Sequence, residues 1–175
     1  VPFFPDPEPQ EQEWERLEWR EPLLGEIPIT IAVDLALAQT DRVALSVSAV
    51  KAHSNGCVLE VTSVAEPPDF EHRVPPAPYR FGVQWTDGAK VLLDDEHGPE
   101  EDRPNRPVLT VCGGHGSDGF THTEFWLWPL PPPGVLQLVF DWPEQGLLET
   151  SIDFPTKPLL DAARRVAPGW ETKRP

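Results

Sequence analysis

Cysteine is scarce in this chain, methionine is absent, and no apolar run approaches membrane length. Two cysteines in 175 residues are too few for a disulfide scaffold of the kind small secreted domains use. A membrane helix needs about 20 consecutive apolar residues, and no stretch here comes close. The first residues are acidic and proline-rich, without the basic start and apolar stretch of a signal peptide. The expectation is a cytoplasmic protein with two free thiols. Catalytic signatures are missing as well. There is no Gly-x-Ser-x-Gly elbow, no phosphate loop and no dinucleotide fingerprint. Paired acids occur only in an acidic run, without the rigid spacing that glycosidase chemistry requires.

Basic charge is also short, and the deficit is local. The formal net charge is −15. Residues 1–26 carry eight acids against Arg16 and Arg20, and residues 94–102 carry six acids and no Lys or Arg. The rest of the chain is close to neutral. Such a field repels nucleic acid and anionic membrane, and it attracts a basic protein surface. Acidic segments also serve simply to keep a protein soluble.

What the chain has in excess is proline, with 23 residues grouped at the N-terminus and at 67–78, 99–107 and 129–133. These blocks punctuate a series of strands. Ile27, Ile29, Ile31, Val33, Leu35 and Leu37 share one parity, the mark of a strand with one buried face. Val43, Leu45, Val47 and Ala49 repeat the pattern, Ser54-Asn-Gly56 reads as a hairpin, and Cys57, Leu59 and Val61 point inward on the return. Further strands are expected around Phe81–Trp85, Lys90–Leu93 and 107–112, with a glycine-rich loop at 113–119 before a strand ending in Trp128. Leu136, Leu138, Phe140 and Trp142 share the next face, and Leu148, Thr150 and Ile152 the one after. Thr156 then caps a helix with Pro158 in its first turn, Leu159, Leu160, Ala163 and Val166 on its apolar side, and Pro168-Gly169 at its end. The fold class expected is all-β: an immunoglobulin-like antiparallel β-sandwich of eight or nine strands with one C-terminal helix. Trp85 lies midway between Cys57 and Cys112, so the disulfide geometry of antibody domains is not expected. Residues 1–24 form an acidic arm, 25–170 the sandwich and helix, and 171–175 a tail.

Several segments resemble a family of uncharacterised proteins from high-GC actinobacteria. They are Trp19-Arg-Glu-Pro-Leu-Leu-Gly25, Leu37-Ala-Gln-Thr-Asp-Arg-Val-Ala44, Ala52-His-Ser-Asn-Gly56 and Phe81-Gly-Val-Gln-Trp-Thr-Asp-Gly88. The most distinctive is Phe125-Trp-Leu-Trp-Pro-Leu-Pro-Pro-Pro-Gly134, with Phe140-Asp-Trp-Pro143 and Glu149-Thr150 after it. The similarity runs from about residue 19 to 170. It implies a source, and it brings no activity and no catalytic residues. The chain departs from the family pattern at His53-Ser54, where an aromatic is usual, and at the histidine of the glycine-rich loop.

Two constellations could carry chemistry. Cys112-Gly-Gly-His115-Gly-Ser-Asp118, with His122 beyond it, contains zinc-ligand residue types around a flexible loop. No second ligand pair accompanies them, and parity points Cys112 and His122 into different surroundings, so no stoichiometric zinc and no cofactor are expected. The run Asp94-Asp95-Glu96-His97 offers hard oxygens but lacks the alternating spacing of a calcium loop.

The remaining feature is aromatic. Trp126 and Trp128 lie on the parity opposite Phe125 and Leu127, so a segment apolar on both faces needs two covers. The outer cover is expected to be intramolecular, from the C-terminal helix or from the arm with Trp14 and Trp19; a second chain is the alternative. The function expected is a non-enzymatic protein–protein interaction or adaptor domain, monomeric or homodimeric, with binding residues among Trp126, Trp128, Trp14, Trp19, Asp94, Asp95 and Glu96. The alternatives are a small metal-dependent hydrolase built on the Cys112–His122 loop, and an acidic immunity-like or inhibitory protein that binds a basic partner. A nucleic-acid or membrane partner is not expected.

Overall fold

The structure is a computed structural model that describes residues 17–23, 25–65, 79–93 and 106–168. The strands are β1 (Glu26–Ile27), β2 (Ile29–Gln39), β3 (Val43–Ala52), β4 (Cys57–Ala65), β5 (Arg80–Trp85) and β6 (Lys90–Leu92). They continue with β7 (Val108–Ser117), β8 (Phe120–Trp128), β9 (Val135–Trp142), β10 (Leu147–Pro155) and β11 (Ala167–Pro168). The helix α1 (Lys157–Ala163) lies between β10 and β11. The chain is mostly β, with two main antiparallel sheets ordered β2-β3-β4-β8-β7 and β10-β9-β5-β6. The pair β1–β11 forms a separate two-stranded ribbon, so the strand inventory exceeds the eight or nine expected. Among the described residues, no helix is long and apolar enough to cross a membrane.

The core lies between the two main sheets. Phe125 of β8 meets Phe81 of β5 at 4.6 Å between ring centroids, and Phe81 stacks on Phe140 of β9 at 4.4 Å. The inward parity of Leu45, Val47, Cys57, Leu59, Val61, Leu136 and Leu138 supplies the aliphatic remainder. At one margin Leu93 bridges Leu109 in parallel; at the other, β10 lies beside β2, while α1 packs on β2 and β3.

Several local expectations change. Ile27 is not in the core: it pairs with Ala167 in the ribbon and is exposed. A bulge opposite Glu60 shifts the parity of β3, so Val50 and Ala52 take over the core face after Val47. Residues 113–117 are not a loop but the second half of β7, paired with β8 out to Ser117–Phe120. Glycine is a poor strand former, but here the partner strand supplies the ladder and only Asp118-Gly119 turns, with Gly119 at φ 73°. Thr156 stands at the N-cap of α1 but does not cap it. Its hydroxyl accepts the Gly134 N–H at 2.9 Å and reaches the Pro132 and Gly134 carbonyls, tying the proline turn to the helix start. The helix buries Leu159, Ala162 and Ala163, and Pro168 sits in β11 rather than ending α1.

Candidate functional site

Three regions of the two outer sheet faces hold the candidate residues. The first is the tryptophan end of the five-stranded sheet. Val58, Val108, Trp126 and Trp128 form an apolar cluster there, roofed by Trp19 with Leu17 against it. Trp126 is fully buried and donates its indole N–H to the Trp19 carbonyl at 3.1 Å. The Asn55 side chain donates to the Glu18 carbonyl at 3.2 Å, and Gly56 leaves the room that Trp126 fills: a Cβ there would lie 2.5 Å from a ring carbon. Among the described residues the cover is intramolecular, and both β8 tryptophans are buried beneath it. Trp14 lies outside the described residues, as do Asp94, Asp95 and Glu96.

His53 seals the edge of this cluster. Its ring meets Trp126 edge-on at 5.5 Å, and Nδ1 lies 3.7 Å from a Glu26 carboxylate oxygen. The same carboxylate accepts from the Ser54 backbone N–H at 3.1 Å and from the Ser54 hydroxyl. Burial holds the His53 pKa below the ordinary imidazole value; Glu26 pulls it up and Lys51 adds to the lowering.

The second region is the middle of the same face. Glu60 and Glu124 are cross-strand partners on β4 and β8, and Thr62 and His122 are the next outward pair. Lys51 of β3 reaches over to Glu60 at 2.5 Å and Glu124 at 2.8 Å. The hydrogen bond to Glu124, followed by that to Glu60, raises the lysine pKa. One ligand atom each from Glu60, His122 and Glu124 lies within 4.8 Å of the others. His115 pairs with His122 across the hairpin, with ring centroids 5.1 Å apart. Cys112 occupies the β7 bulge, and its thiol donates to the Glu124 carbonyl at 3.4 Å. The residue is exposed, and its thiol lies against the β8 backbone, where part of its hydration is lost. That loss and the Glu124 charge push its pKa up to about 12. Cys57, in the core, is raised to about 12 by burial alone. A thiol held protonated is a poor nucleophile and a poor metal ligand. Sequence reasoning picked out His115 and His122 but missed Glu60 and Glu124. Parity could have placed both outward; the pairing of β4 with β8 is a tertiary fact.

The third region is the solvent face of the four-stranded sheet, where a groove of about 330 Å³ runs across β6, β5, β9 and β10. Gly82 and Val139 floor it, and a Cβ on Gly82 would lie 3.1 Å from the Val91 carbonyl oxygen. Arg80 and Asp141, cross-strand partners, form an ion pair at one side. Gln84, Lys90, Leu92 and Gln137 line it further, with Glu149, Thr150 and Ser151 from β10, and Leu92 is 72% exposed. No family model, curated protein or solved structure matches the chain.

Proposed function

We propose that this chain is a non-enzymatic protein-binding domain with an immunoglobulin-like strand arrangement, whose contact surface is the groove on the four-stranded sheet. The carrying observation is the contrast between the two sheet faces. The tryptophan end of one is roofed by the chain's own Trp19, whereas the other presents an open groove with exposed Leu92 beside Arg80, Asp141 and two glutamines. Exposed apolar surface next to polar groups and an arginine is a mixture that protein interfaces use. The strand order supports the arrangement: within β2-β3-β4-β8-β7 and β10-β9-β5-β6, the strands β3-β4-β8-β7 and β10-β9-β5 correspond to A-B-E-D and G-F-C, with β2 and β6 as added edge strands. The high thiol pKa values of Cys57 and Cys112 speak against a cysteine nucleophile. A basic protein surface is the partner chemistry we propose, because the chain carries a formal net charge of −15. The free thiols accord with a cytoplasmic setting.

The test is affinity purification from the native host with wild-type protein and with Leu92→Asp. The expected result is a basic partner retained by the wild type and weakened at least about tenfold by the substitution, which is about 1.4 kcal/mol. An identical set of bound proteins for both would contradict the assignment of this face.

A further inference from the structure

We propose that Glu60, His122 and Glu124 form a binding site for a late first-row divalent metal ion of the zinc class on the outer face of the five-stranded sheet. It lies on the sheet opposite the groove, is independent of the binding function proposed there, and departs from the expectation of no zinc, which weighed the Cys112–His122 loop without the two glutamates that the β4–β8 pairing brings to it.

The donor set decides the class of ion. Imidazole suits zinc, nickel and copper, whereas an all-oxygen set would favour magnesium or calcium. One nitrogen with two carboxylates is a zinc-type set with a position left open. In a tetrahedral site with metal–ligand distances near 2.1 Å, the donors stand about 3.4 Å apart. The three donors lie within 4.8 Å of one another, so closing on an ion asks for rotamer adjustments of about an ångström, within the reach of glutamate side chains that are 15% and 30% exposed. The Thr62 hydroxyl, 3.3 Å from Nδ1 of His122, steadies that ring from the neighbouring strand. His115, across the hairpin from His122 with ring centroids 5.1 Å apart, lies beside the histidine ligand and outside the three-residue group.

The glycines of β7 have a role in this arrangement. A Cβ on Gly113 would lie 2.6 Å from a Glu124 carboxylate oxygen, so the absence of a side chain makes the room that the carboxylate occupies. The site already accepts a cation. The Lys51 ammonium is held by Glu60 and Glu124 together, where a metal would draw the same two oxygens. Lysine and metal therefore compete, and the competition gives the proposal its sharpest consequence: removing the lysine strengthens metal binding, while removing the histidine weakens it.

Titration calorimetry with zinc chloride on the full chain tests this with wild type, His122→Ala and Lys51→Met, after circular dichroism shows that each is folded. The expected result is about one zinc per chain, at least tenfold weaker in His122→Ala and at least tenfold tighter in Lys51→Met, each tenfold step being about 1.4 kcal/mol. A readout that needs no substitution is nickel(II) added to the wild type, which should broaden the imidazole resonances of His115 and His122 before those of His53, His72 and His97. No zinc binding at millimolar concentration in either wild type or Lys51→Met would overturn the proposal. So would binding unchanged by His122→Ala, or broadening that begins at His97 in the acidic run.

Discussion

His53 shows how one residue joins separate parts of this molecule. It sits at the end of β3, touches Trp126 of β8, and faces the carboxylate of Glu26 in β1. A hairpin of this kind was legible from Ser54-Asn-Gly56, but the burial of the histidine was not, because its cover comes from residues far away in sequence. Its lowered pKa has a consequence for stability. The unfolded chain takes up a proton near the ordinary imidazole value of about 6.5, while the folded chain keeps His53 neutral to lower pH. Its contribution is therefore complete above that value and is lost progressively as the pH falls from it through the lower folded-state pKa. Urea unfolding of wild type and His53→Gln between pH 8 and 5 should show the wild type losing stability relative to the variant on the acid side. Parallel pH profiles would contradict the lowered pKa.

At the scale of elements, alternation was read well and pairing was not. The strand β2 alternates from Ile29 to Leu37 as Ile29, Ile31, Val33 and Leu35 require, before a register shift at Ala38 breaks the pattern, and the burial of Trp126 and Trp128 followed from their parity. The hairpin of β7 and β8 was misjudged because Gly113, Gly114 and Gly116 carry a loop composition. Their strand conformation is imposed by β8 rather than by local preference. The docked segment was half legible. A tryptophan-bearing arm was expected to find cover, and a turn brings its Trp19 onto the cluster, with the Arg20 N–H bonded to the Leu17 carbonyl at 2.9 Å, while Trp14 lies outside the described residues. Trp19→Ala empties that roof, and truncations of buried aromatics of this size cost about 3–5 kcal/mol. Urea denaturation should show a loss in that range, with a red shift of tryptophan emission as Trp126 meets water. A change within about 0.5 kcal/mol, as for surface substitutions, would mean that the segment seals nothing.

At the scale of the whole molecule, the sequence carried the number of layers better than their order. Alternating strands with one apolar face must bury that face against another layer, so two stacked sheets and a covering helix followed from pattern alone. The crossings that place β4 beside β8, and β5 beside β9, depend on contacts across long separations that no local signal records. Both candidate surfaces arise at those crossings: the Glu60–His122–Glu124 group on one sheet, and the groove of β5 and β9 on the other. The central claim is that the two outer faces serve different ends, the four-stranded one being the face that meets a partner. Site-specific photocrosslinking in the native host tests it most directly, with the reactive residue placed at Leu92 in the groove or at Val64, exposed on the five-stranded sheet. The account predicts one discrete crosslinked species, with a basic protein, from position 92 and none from position 64. A crosslink from position 64 with none from position 92 would contradict it.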